Sequence, residues 1–324
     1  MKNYVLNIGV DVSKSTLDIC VLNSTSKEFD QIKNKRKSVA SFFKAYRGVD
    51  VRVCCENTGM YSWILLQVLT ELGILVYQVN PLHLKRSMGL VRGKNDIIDS
   101  YRIGLFISKN HDNLTPYQPI DKDLIKVKIL LTKRSLLVKQ RAQHKANRKE
   151  DKLFKEISLD FLDDYTDTLI EFLTIKIKKI EIMIGEIIKN NTVFKSQHKI
   201  ITSIPGVGQI VFWNVLVKTN AFKNITKARK FACYSGVAPF QFQSGSTIYS
   251  RPKVSHYADK SMKKLLHLAA MSAIQTNNDL RIYYLRKTAE GKNKMLVLNA
   301  VRNKIIHRIF AMIKSKKKYQ FNLD

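Results

Sequence analysis

The stretch that most constrains the fold is an apolar strand that runs into a carboxylate. Tyr4–Val10 is mostly apolar, and Asp11 follows it directly before a small polar turn. A second apolar stretch, Leu17–Leu22, begins at once, so the pattern predicts a β-hairpin with an acid at the end of its first strand. A lone Asp at a strand end is usually only a turn former. It indicates a functional site when other acids can lie close to it.

Single strands and helices alternate after this hairpin. Val51–Cys55 is predicted to be a buried strand, Gly59–Leu72 a helix with one apolar face, and Ile74–Val79 a further strand. Pro81 then stands at an early position of the next helix. A hairpin followed by alternating helices and strands predicts an α/β domain with a mixed sheet, and the order matches the ribonuclease-H-like fold.

Three further acids could meet Asp11. Glu56 follows the buried strand, while Asp96 and Asp99 share one face of the first turn of a helix. Acids at a helix start also interact favourably with the macrodipole, which is the commoner reason for them. Four carboxylates that converge on one sheet edge would instead bind hard cations such as Mg²⁺. Two such ions can clamp the attacking and leaving oxygens of a phosphodiester.

The charge balance indicates the partner. The 324 residues include 56 Lys and Arg against 26 Asp and Glu, which gives a formal charge of +30. A folded chain this basic repels itself unless a polyanion is near, so nucleic acid is the expected partner and an anionic membrane surface the alternative. We predict no membrane span and no signal peptide. The four cysteines form no Cys-x-x-Cys pair, which favours reduced thiols in a cytoplasm.

Two long helices are predicted in the middle of the chain. Pro116–Asp123 marks a boundary, and Leu124–Lys149 and Asp164–Lys189 then repeat apolar residues at spacings of three and four. This pattern predicts an antiparallel pair or a coiled coil that serves as an arm or for dimerisation. An ordinary helical subdomain fits the pattern equally well.

The last third of the chain is predicted to be a separate domain. Ile204–Gly208 places two glycines between helices, where exposed backbone N–H groups could hold a phosphate, although a plain tight turn fits as well. Phe240–Ser246 is predicted to be a flexible polar loop, and cationic residues follow it up to Lys260. Further helices are predicted over Ser261–Ile274 and Leu296–Ile313, before a lysine-rich tail.

Acids and charge together predict a metal-dependent nuclease or polynucleotidyl transferase. A serine in the polar loop adds a second possibility. Ser244 precedes Gly245, and such a serine is most often a turn residue. Arg251, Lys253 and Lys260 could activate its hydroxyl or stabilise a phosphorane, if they approach it.

Several segments resemble the IS110 family of bacterial insertion-sequence transposases. Its DEDD signature is similar to Val10–Lys14, Glu56–Gly59 and Arg92–Asp99, and its C-terminal part is similar to Ile204–Gly208, Phe231–Pro239, Gln243–Gly245 and Arg251–Ala270. The match covers nearly the whole chain in the right order. It implies a RuvC-like, ribonuclease-H-like α/β domain over residues 1–118, a helical coiled-coil arm over 119–195, and a mainly α transposase domain with a helix-hairpin-helix over 196–324.

The resemblance also implies roles for residues. Asp11, Glu56, Asp96 and Asp99 would bind Mg²⁺, or Mn²⁺ in its place, and Ser244 would form a phosphoserine link to a DNA 5′ end. The implied partners are donor and target DNA, a non-coding guide RNA and further copies of the chain in a dimer or tetramer, in a bacterial cytoplasm at the nucleoid. The residues expected to contact nucleic acid are Lys14, Arg92, Lys94, Gly206, Gly208, Arg251, Lys253 and Lys260.

The chain departs from the family pattern near the serine. Members commonly show two serines and then two glycines, whereas residues 243–246 are Gln-Ser-Gly-Ser, so Ser246 is an alternative to Ser244 as nucleophile. An Arg-x-Gly spacing is replaced by Arg251–Lys253. Two other functions stay open: a structure-specific nuclease, for example for Holliday junctions, that uses only carboxylates and water, and a basic nucleic-acid scaffold whose acids are helix caps.

Overall fold

The structure is a computed structural model that describes residues 5–87, 95–151, 160–244 and 248–321. Some of these residues are described by their backbone alone, namely 151, 160–162, 242–244 and 248–251. The chain forms two compact units, Met1–Pro119 and Ile120–Asp324.

A five-stranded mixed sheet is the centre of the first unit. Its strands lie in the order β3-β2-β1-β4-β5. They are β1 (Leu6–Val12), β2 (Thr16–Leu22), β3 (Lys27–Lys33), β4 (Val51–Glu56) and β5 (Leu75–Val79). The first three strands pair antiparallel, while β4 runs parallel to β1 and β5 parallel to β4. This order and these directions are those of the ribonuclease-H-like fold, which confirms the predicted fold class.

Helices cover both faces of this sheet. They are α1 (Arg36–Phe43), α2 (Trp63–Glu71), α3 (Pro81–Ser87) and α4 (Asp96–Asn110), with single 3₁₀ turns at Lys44–Tyr46 and His111–Asn113. Alternate residues of β1, such as Ile8 and Val10, are fully buried in one core with α1 and α2. The opposite face carries a smaller core in which Ile103 and Phe106 of α4 pack with Tyr77. Because successive strand residues point to opposite faces, Asp11 belongs to the α4 side of β1.

The second unit is mainly helical. Its elements are α5 (Lys122–Asp151), α6 (Asp160–Asn190), α7 (Thr192–Ile201), α8 (Gln209–Lys218), α9 (Ala228–Tyr234), the strands β6 (Phe240–Ser244) and β7 (Ile248–Lys253), α10 (Lys260–Ala273), α11 (Asp279–Ala289) and α12 (Lys294–Ser315). One hydrophobic core joins the ends of α5 and α6 to the later helices, with Trp213 among its largest buried side chains. The described helices lack the combination of length and apolar character that a membrane-spanning segment requires.

The two long helices pack against each other antiparallel. Arg134 of α5 contacts Glu181 of α6 at 2.6 Å, and Arg148, further along α5, contacts Asp167 at 3.0 Å. Leu124 and other residues at the base of the pair belong to the core of the second unit. The predicted pair of helices is therefore present, and the division of this unit into an arm and a C-terminal domain stays a prediction.

Three local expectations differ from the structure. Strand β1 continues through Val12, so Asp11 lies inside the strand. Helix α2 begins at Trp63 and not at Gly59, whose φ of +72° is one that a right-handed helix does not accommodate. The stretch predicted as a polar loop at Phe240–Ser246 forms β6 up to Ser244, since pairing with β7 outweighs the weak strand propensity of its polar residues.

Candidate active site

Three carboxylates of the first unit lie together. Asp11, Asp96 and Asp99 each offer an oxygen atom, and these atoms all lie within 4.8 Å of one another. Asp11 is the next-to-last residue of β1, and the other two occupy the first turn of α4. They are the group among the described residues with the ligand types and spacing to hold a metal ion. The structure thus brings together three of the four predicted acids, and their role stays a prediction.

A close approach of backbones explains why α4 meets β1 at this point. A Cβ atom built on Gly9 would lie 2.0 Å from the Ser100 carbonyl oxygen and 2.3 Å from the Gly104 nitrogen. Ser100 is one helical turn after Asp96, and Gly9 is two residues before Asp11 on the same face of its strand. The contact between Gly9 and Ser100 therefore sets the register that places Asp96 beside Asp11.

This contact predicts a large effect for a single methyl group. Gly9→Ala forces two backbones apart, and we expect it to lower the free energy of unfolding by about 3 kcal/mol, at the upper end of overpacking effects. Urea denaturation followed by circular dichroism measures the change. Gly185→Ala is the control, because no atom of the described part of the chain lies within 4 Å of a Cβ at that position of α6. Gly9→Ala protein that unfolds at the wild-type urea concentration would contradict the close contact.

The electrostatics of the three acids favour a bound cation. The pKa of Asp11 is raised to about 6, first by burial and then by the negative charges of Asp96 and Asp99, with a small contribution from Glu56. A hydrogen bond with the backbone of Val12 opposes the shift. The raised pKa means that the ionised form of Asp11 is disfavoured here, because the carboxylate is partly withdrawn from water and lies near two other acids. A cation coordinated by these oxygens would supply the missing compensation.

Two neighbours hold α4 and its acids in place. The side chain of Asn95 caps the helix by accepting a hydrogen bond from the Ile97 N–H at 3.1 Å. The Arg102 Nη1 donates to Asp99 Oδ1 at 2.9 Å, with both side chains mostly buried. Neither residue was predicted from the sequence. The spacing of Asp99 and Arg102, three apart on a helix, is the signal that would have found the second.

Glu56, the fourth predicted acid, lies at the same edge but outside the group of three. It is the last residue of β4, one position beyond the parallel pair formed by Val10 and Cys55. It raises the pKa of Asp11 less than the other two acids do. Its charge therefore reaches Asp11, and its place as a fourth metal ligand stays a prediction.

A fifth acid was missed. Asp18 lies directly opposite Asp11 in the β1–β2 pair and is only 5% exposed. Its Oδ1 accepts a hydrogen bond from Gln31 Nε2 at 2.8 Å, and it lines an open cavity of about 560 Å³ that also reaches Asp96. The sequence feature that could have identified Asp18 is the presence of an acid inside the otherwise apolar stretch Leu17–Leu22.

The predicted serine lies in the hairpin of the second unit. Ser244 is the last residue of β6, where its backbone pairs with Ile248, and its side chain lies outside the described atoms. Gly245 and the alternative Ser246 lie outside the described residues. The structure therefore places Ser244 at the tip of a β-hairpin and leaves the choice between the two serines as a prediction.

A partly exposed polar network holds the base of this hairpin. The Asp259 N–H donates to the Tyr234 carbonyl at 2.8 Å, and Asp259 Oδ2 accepts from Lys218 Nζ at 2.6 Å and from the Tyr234 hydroxyl at 3.0 Å. Burial would raise the pKa of Asp259, but the hydrogen bonds from Lys218 and Ser261 and the Met262 N–H hold it well below its usual range. Asp259 stays ionised and ties both ends of the hairpin segment to α8.

The two glycines of the predicted phosphate-binding turn have different environments. Gly206 has a φ of +78°, and a Cβ there would lie 2.1 Å from the Ala269 carbonyl oxygen of α10. Close packing of helices accounts for this glycine. Gly208 is exposed and precedes α8 as its N-cap. Of the two, Gly208 is the one whose surroundings leave room for a phosphate.

The other predicted nucleic-acid contacts fall into two groups. Lys14, Lys253 and Lys260 are exposed, the first in the turn between β1 and β2 and the others beside the second unit's hairpin. Arg92 and Lys94 lie outside the described residues, and Arg251 is described by its backbone alone. All of these contacts stay predictions.

Comparison with known families defines the class of protein. A family model of DEDD transposases of IS110 elements, described as "Transposase", matches residues 8–153. A second model, described as "Transposase IS116/IS110/IS902 family", matches residues 198–285. The first match includes all four predicted acids, and the second includes Ser244 and its hairpin. The chain is a DNA-recombining enzyme of the transposase class.

Relatives support the same class. The chain is 23% identical over 321 residues to the pilin gene-inverting protein of Moraxella lacunata. That alignment covers 96% of this chain and 97% of the Moraxella protein. It is 27% identical over 121 residues to an uncharacterized 43.6 kDa protein of the insertion element IS110 of Streptomyces coelicolor, 37% of this chain and 30% of that one. The chain belongs to the IS110 family of transposases.

One solved structure aligns only weakly with this chain. RuvC of T. thermophilus in complex with a Holliday junction substrate aligns with a TM-score of 0.27 and 12% identity. The alignment covers 35% of this chain and 99% of that one. The strand order of the first unit, and not this alignment, carries the fold assignment.

Proposed function

We propose that this transposase cuts and rejoins donor and target DNA in a Mg²⁺-dependent, RNA-guided reaction that passes through a phosphoserine at Ser244. The observation that carries the proposal is the meeting of Asp11, Asp96 and Asp99 on the sheet of a chain whose formal charge is +30. Acids so placed are costly in the free protein, and the excess of cations elsewhere suits a polyanionic substrate.

The donor set fits a hard divalent cation. Carboxylate oxygens are the ligands that Mg²⁺ prefers, and Mn²⁺ accepts the same set. Asp11, Asp96 and Asp99 would hold the ion, with Glu56 at the same edge as a fourth ligand. When bound, the metal would neutralise charge that develops on a phosphodiester.

The other residues of this edge position the acids and the DNA. Arg102 holds Asp99 through its hydrogen bond, which fixes one oxygen and leaves the second free to coordinate. Lys14 is exposed three residues after Asp11 and suits a contact with a phosphate of the bound strand. Asp18 lies opposite Asp11 in the β1–β2 pair, where Gln31 holds its carboxylate by a hydrogen bond.

The serine step conserves the energy of the broken bond. The Ser244 oxygen attacks a DNA phosphorus, the bond from that phosphorus to the 3′ oxygen breaks, and the 3′ oxygen takes up a proton as the serine loses one. The product is a phosphoserine ester at the DNA 5′ end. A 3′ hydroxyl of another strand then attacks this ester and releases the serine, so rejoining needs no ATP. A serine hydroxyl is a weak nucleophile, so the step requires activation by cationic groups or metal.

The proposed chemistry needs residues from both units to act on one strand. The carboxylates belong to Met1–Pro119 and the serine to Ile120–Asp324. They can meet within one chain or between copies, and the family resemblance favours a site shared between subunits of a homo-oligomer. Such sharing would restrain a lone subunit from cutting DNA. All four cysteines are free, which suits work in a reducing cytoplasm.

Reconstitution tests the proposal as a whole. Purified protein is mixed with donor and target duplexes, with or without RNA transcribed from the DNA that flanks the gene, in Mg²⁺ or in a chelator. We expect strand exchange and a denaturation-resistant protein–DNA adduct only when RNA and Mg²⁺ are both present. Cleavage of branched DNA without an adduct and without RNA would indicate a structure-specific nuclease. Tight binding with no cleavage at all would indicate a scaffold.

The exposed lysines along α5 are the residues that we propose to contact RNA. Lys133, Lys139 and Lys145 are exposed at successive positions along this helix, whereas Arg134 and Arg148 form ion pairs with α6. Replacing the three lysines by Gln should weaken RNA binding and lower the slope of log affinity against log salt by about 2–3, since each phosphate contact contributes about 0.9. Filter binding at several salt concentrations measures the slope.

A matched triple variant on the partner helix controls for net charge. Lys176, Lys178 and Lys179 of α6 are also exposed, and replacing them by Gln removes the same charge from another surface. We expect a smaller change of slope for this variant. Equal slopes for the two triple variants would show that α5 is not the RNA-binding surface.

A further inference from the structure

A second cavity lies in the second unit, away from the proposed serine. It has a volume of about 490 Å³ and opens between the start of α9, the end of α12 and the turn that follows α8. We call it the α9–α12 pocket. Sites for small organic groups usually have volumes of about 300–1,000 Å³, so this pocket has room for a nucleotide.

The walls of the pocket are aromatic and aliphatic. The rings of Phe222 and Phe310 meet edge to face, with centroids 5.3 Å apart and an angle of 81° between their planes. Ala228 and Ile313 extend the apolar lining. Phe310 is buried, while Phe222 is partly exposed. Such walls suit the flat apolar face of a nucleobase, which stacks on aromatic side chains whatever its sequence.

A strained turn holds Phe222 in this wall. Asn220, Ala221 and Phe222 have φ values of 50°, 52° and 65°, in the left-handed region that residues with a side chain rarely occupy. The buried Thr219 hydroxyl accepts a hydrogen bond from the Phe222 N–H at 3.0 Å, and the Ala221 N–H donates to the Leu216 carbonyl at 2.8 Å. Three successive residues in this conformation cost free energy, and strain of this kind is common at ligand sites.

The rim of the pocket is cationic. Lys227 and Arg229 flank the start of α9, Lys314 stands near the end of α12, and all three are exposed. Among the described residues, none of those that line the pocket is an Asp or a Glu. Apolar walls with a purely cationic rim match a ligand that has one flat apolar part and one anionic part.

We propose that the α9–α12 pocket binds one unstacked nucleotide of a single strand, with its base against Phe222 and Phe310 and its phosphate against Lys227, Arg229 and Lys314. A base in a duplex is stacked and paired, so it cannot enter without being extruded. The ligand chemistry is shared by DNA and RNA. The proposal requires neither the carboxylates nor the serine, and it holds or fails independently of the recombination chemistry.

Binding by full-length protein tests this pocket. The probes are an oligothymidylate and an oligouridylate of about six nucleotides, in the range of known single-strand sites, and a DNA hairpin duplex of equal charge. Measurements at raised salt suppress binding through phosphates alone. Phe222→Leu keeps an apolar side chain at this position and removes the ring. We expect it to weaken single-strand binding by roughly tenfold, from the loss of one stacking partner, and to leave duplex binding unchanged.

Two neighbouring cations provide a matched pair of variants. Arg229 lines the pocket, and the next residue, Lys230, is exposed but does not line it. Arg229→Gln should weaken single-strand binding several-fold more than Lys230→Gln, since only the first removes a contact to the bound phosphate. Equal losses for the two variants would overturn the proposed phosphate site.

Photocrosslinking locates the base even if a variant fails to fold. An oligothymidylate with one 5-iodouracil is irradiated with wild-type protein, and the adduct is mapped by mass spectrometry. We expect it on the peptides that contain Phe222 or Phe310. Adducts found only elsewhere, or a Phe222→Leu effect that is equal for single strand and duplex, would overturn the proposal. A loss confined to oligothymidylate or to oligouridylate would identify the strand that the pocket holds.

Discussion

Asp11→Asn protein is expected to lose at least about a thousandfold in the rate of strand exchange while it keeps its fold and its affinity for RNA. The change removes one of three carboxylates that lie within 4.8 Å of one another and leaves a side chain of the same shape. Metal-derived stabilisation of a phosphodiester transition state amounts to several kcal/mol, and each 1.36 kcal/mol is a factor of ten in rate. The measurement is a strand-exchange assay with purified protein in Mg²⁺.

The same substitution should stabilise the metal-free protein. A carboxyl whose pKa is raised from 3.8 to about 6 in the folded state is disfavoured there when ionised. Stability is therefore lost as pH rises from about 4 to about 6 and stays lower above that range. Asn carries no charge, so in chelator at neutral pH we expect Asp11→Asn to be more stable by about 1 kcal/mol, allowing for solvent screening of this half-buried side chain.

Two results would contradict this assignment of Asp11. The first is strand exchange at the wild-type rate, and the second is a melting temperature that Mg²⁺ raises equally in Asp11→Asn and wild-type protein. Asp50→Asn is the control for the change of charge. Asp50 is exposed and directly precedes β4, whereas Glu56 ends that strand at the edge where the acids gather. This control should leave both the rate and the effect of Mg²⁺ unchanged.

Local patterns were enough to predict the sheet and the acids at its edge. The apolar runs of β1, β2, β4 and β5 and the helix start at Asp96 are short-range signals, because strand alternation and helix-start residues act within one element. The spacing of Asp96 and Asp99 placed both on one face of a helical turn. The resemblance to a family then supplied roles that no periodicity contains, such as that of Ser244.

Contacts between elements that are distant in the chain could not be predicted from the sequence. The approach of Gly9 to Ser100 joins a strand to a helix about ninety residues later, and no local pattern marks it apart from a glycine inside a strand. Asp18 was hidden because its significance depends on its position opposite Asp11. The strand at Phe240–Ser244 depends on pairing with β7, and the strained turn at Asn220–Phe222 is fixed by the buried Thr219. Tertiary contacts decide these features, so local propensity did not predict them.

Ser244→Ala protein is expected to bind RNA and DNA as the wild type does and to form no covalent adduct with DNA. The change removes one hydroxyl at the tip of a hairpin whose base is held by Asp259 and Tyr234, so the surrounding fold should remain intact. The proposed phosphoserine cannot form without that oxygen, and the expected loss is complete. The measurement is gel separation of protein–DNA adducts after denaturation, with Ser246→Ala as the matched control two residues away.

Mixing the two inactive proteins tests whether the site is shared between subunits. If the carboxylates of one copy act with the serine of another, Ser244→Ala and Asp11→Asn chains together supply one complete site in part of the mixed oligomers. We then expect adduct formation to return to a fraction of the wild-type level, with the adduct on the Asp11→Asn chain because only that chain retains Ser244. A tag of different mass on each chain identifies it. No adduct in the mixture, although the tagged chains co-purify, would place the complete site within one chain.

An adduct that persists in Ser244→Ala but is lost in Ser246→Ala would instead make Ser246 the nucleophile, because only the hydroxyl that attacks phosphorus is indispensable to the ester.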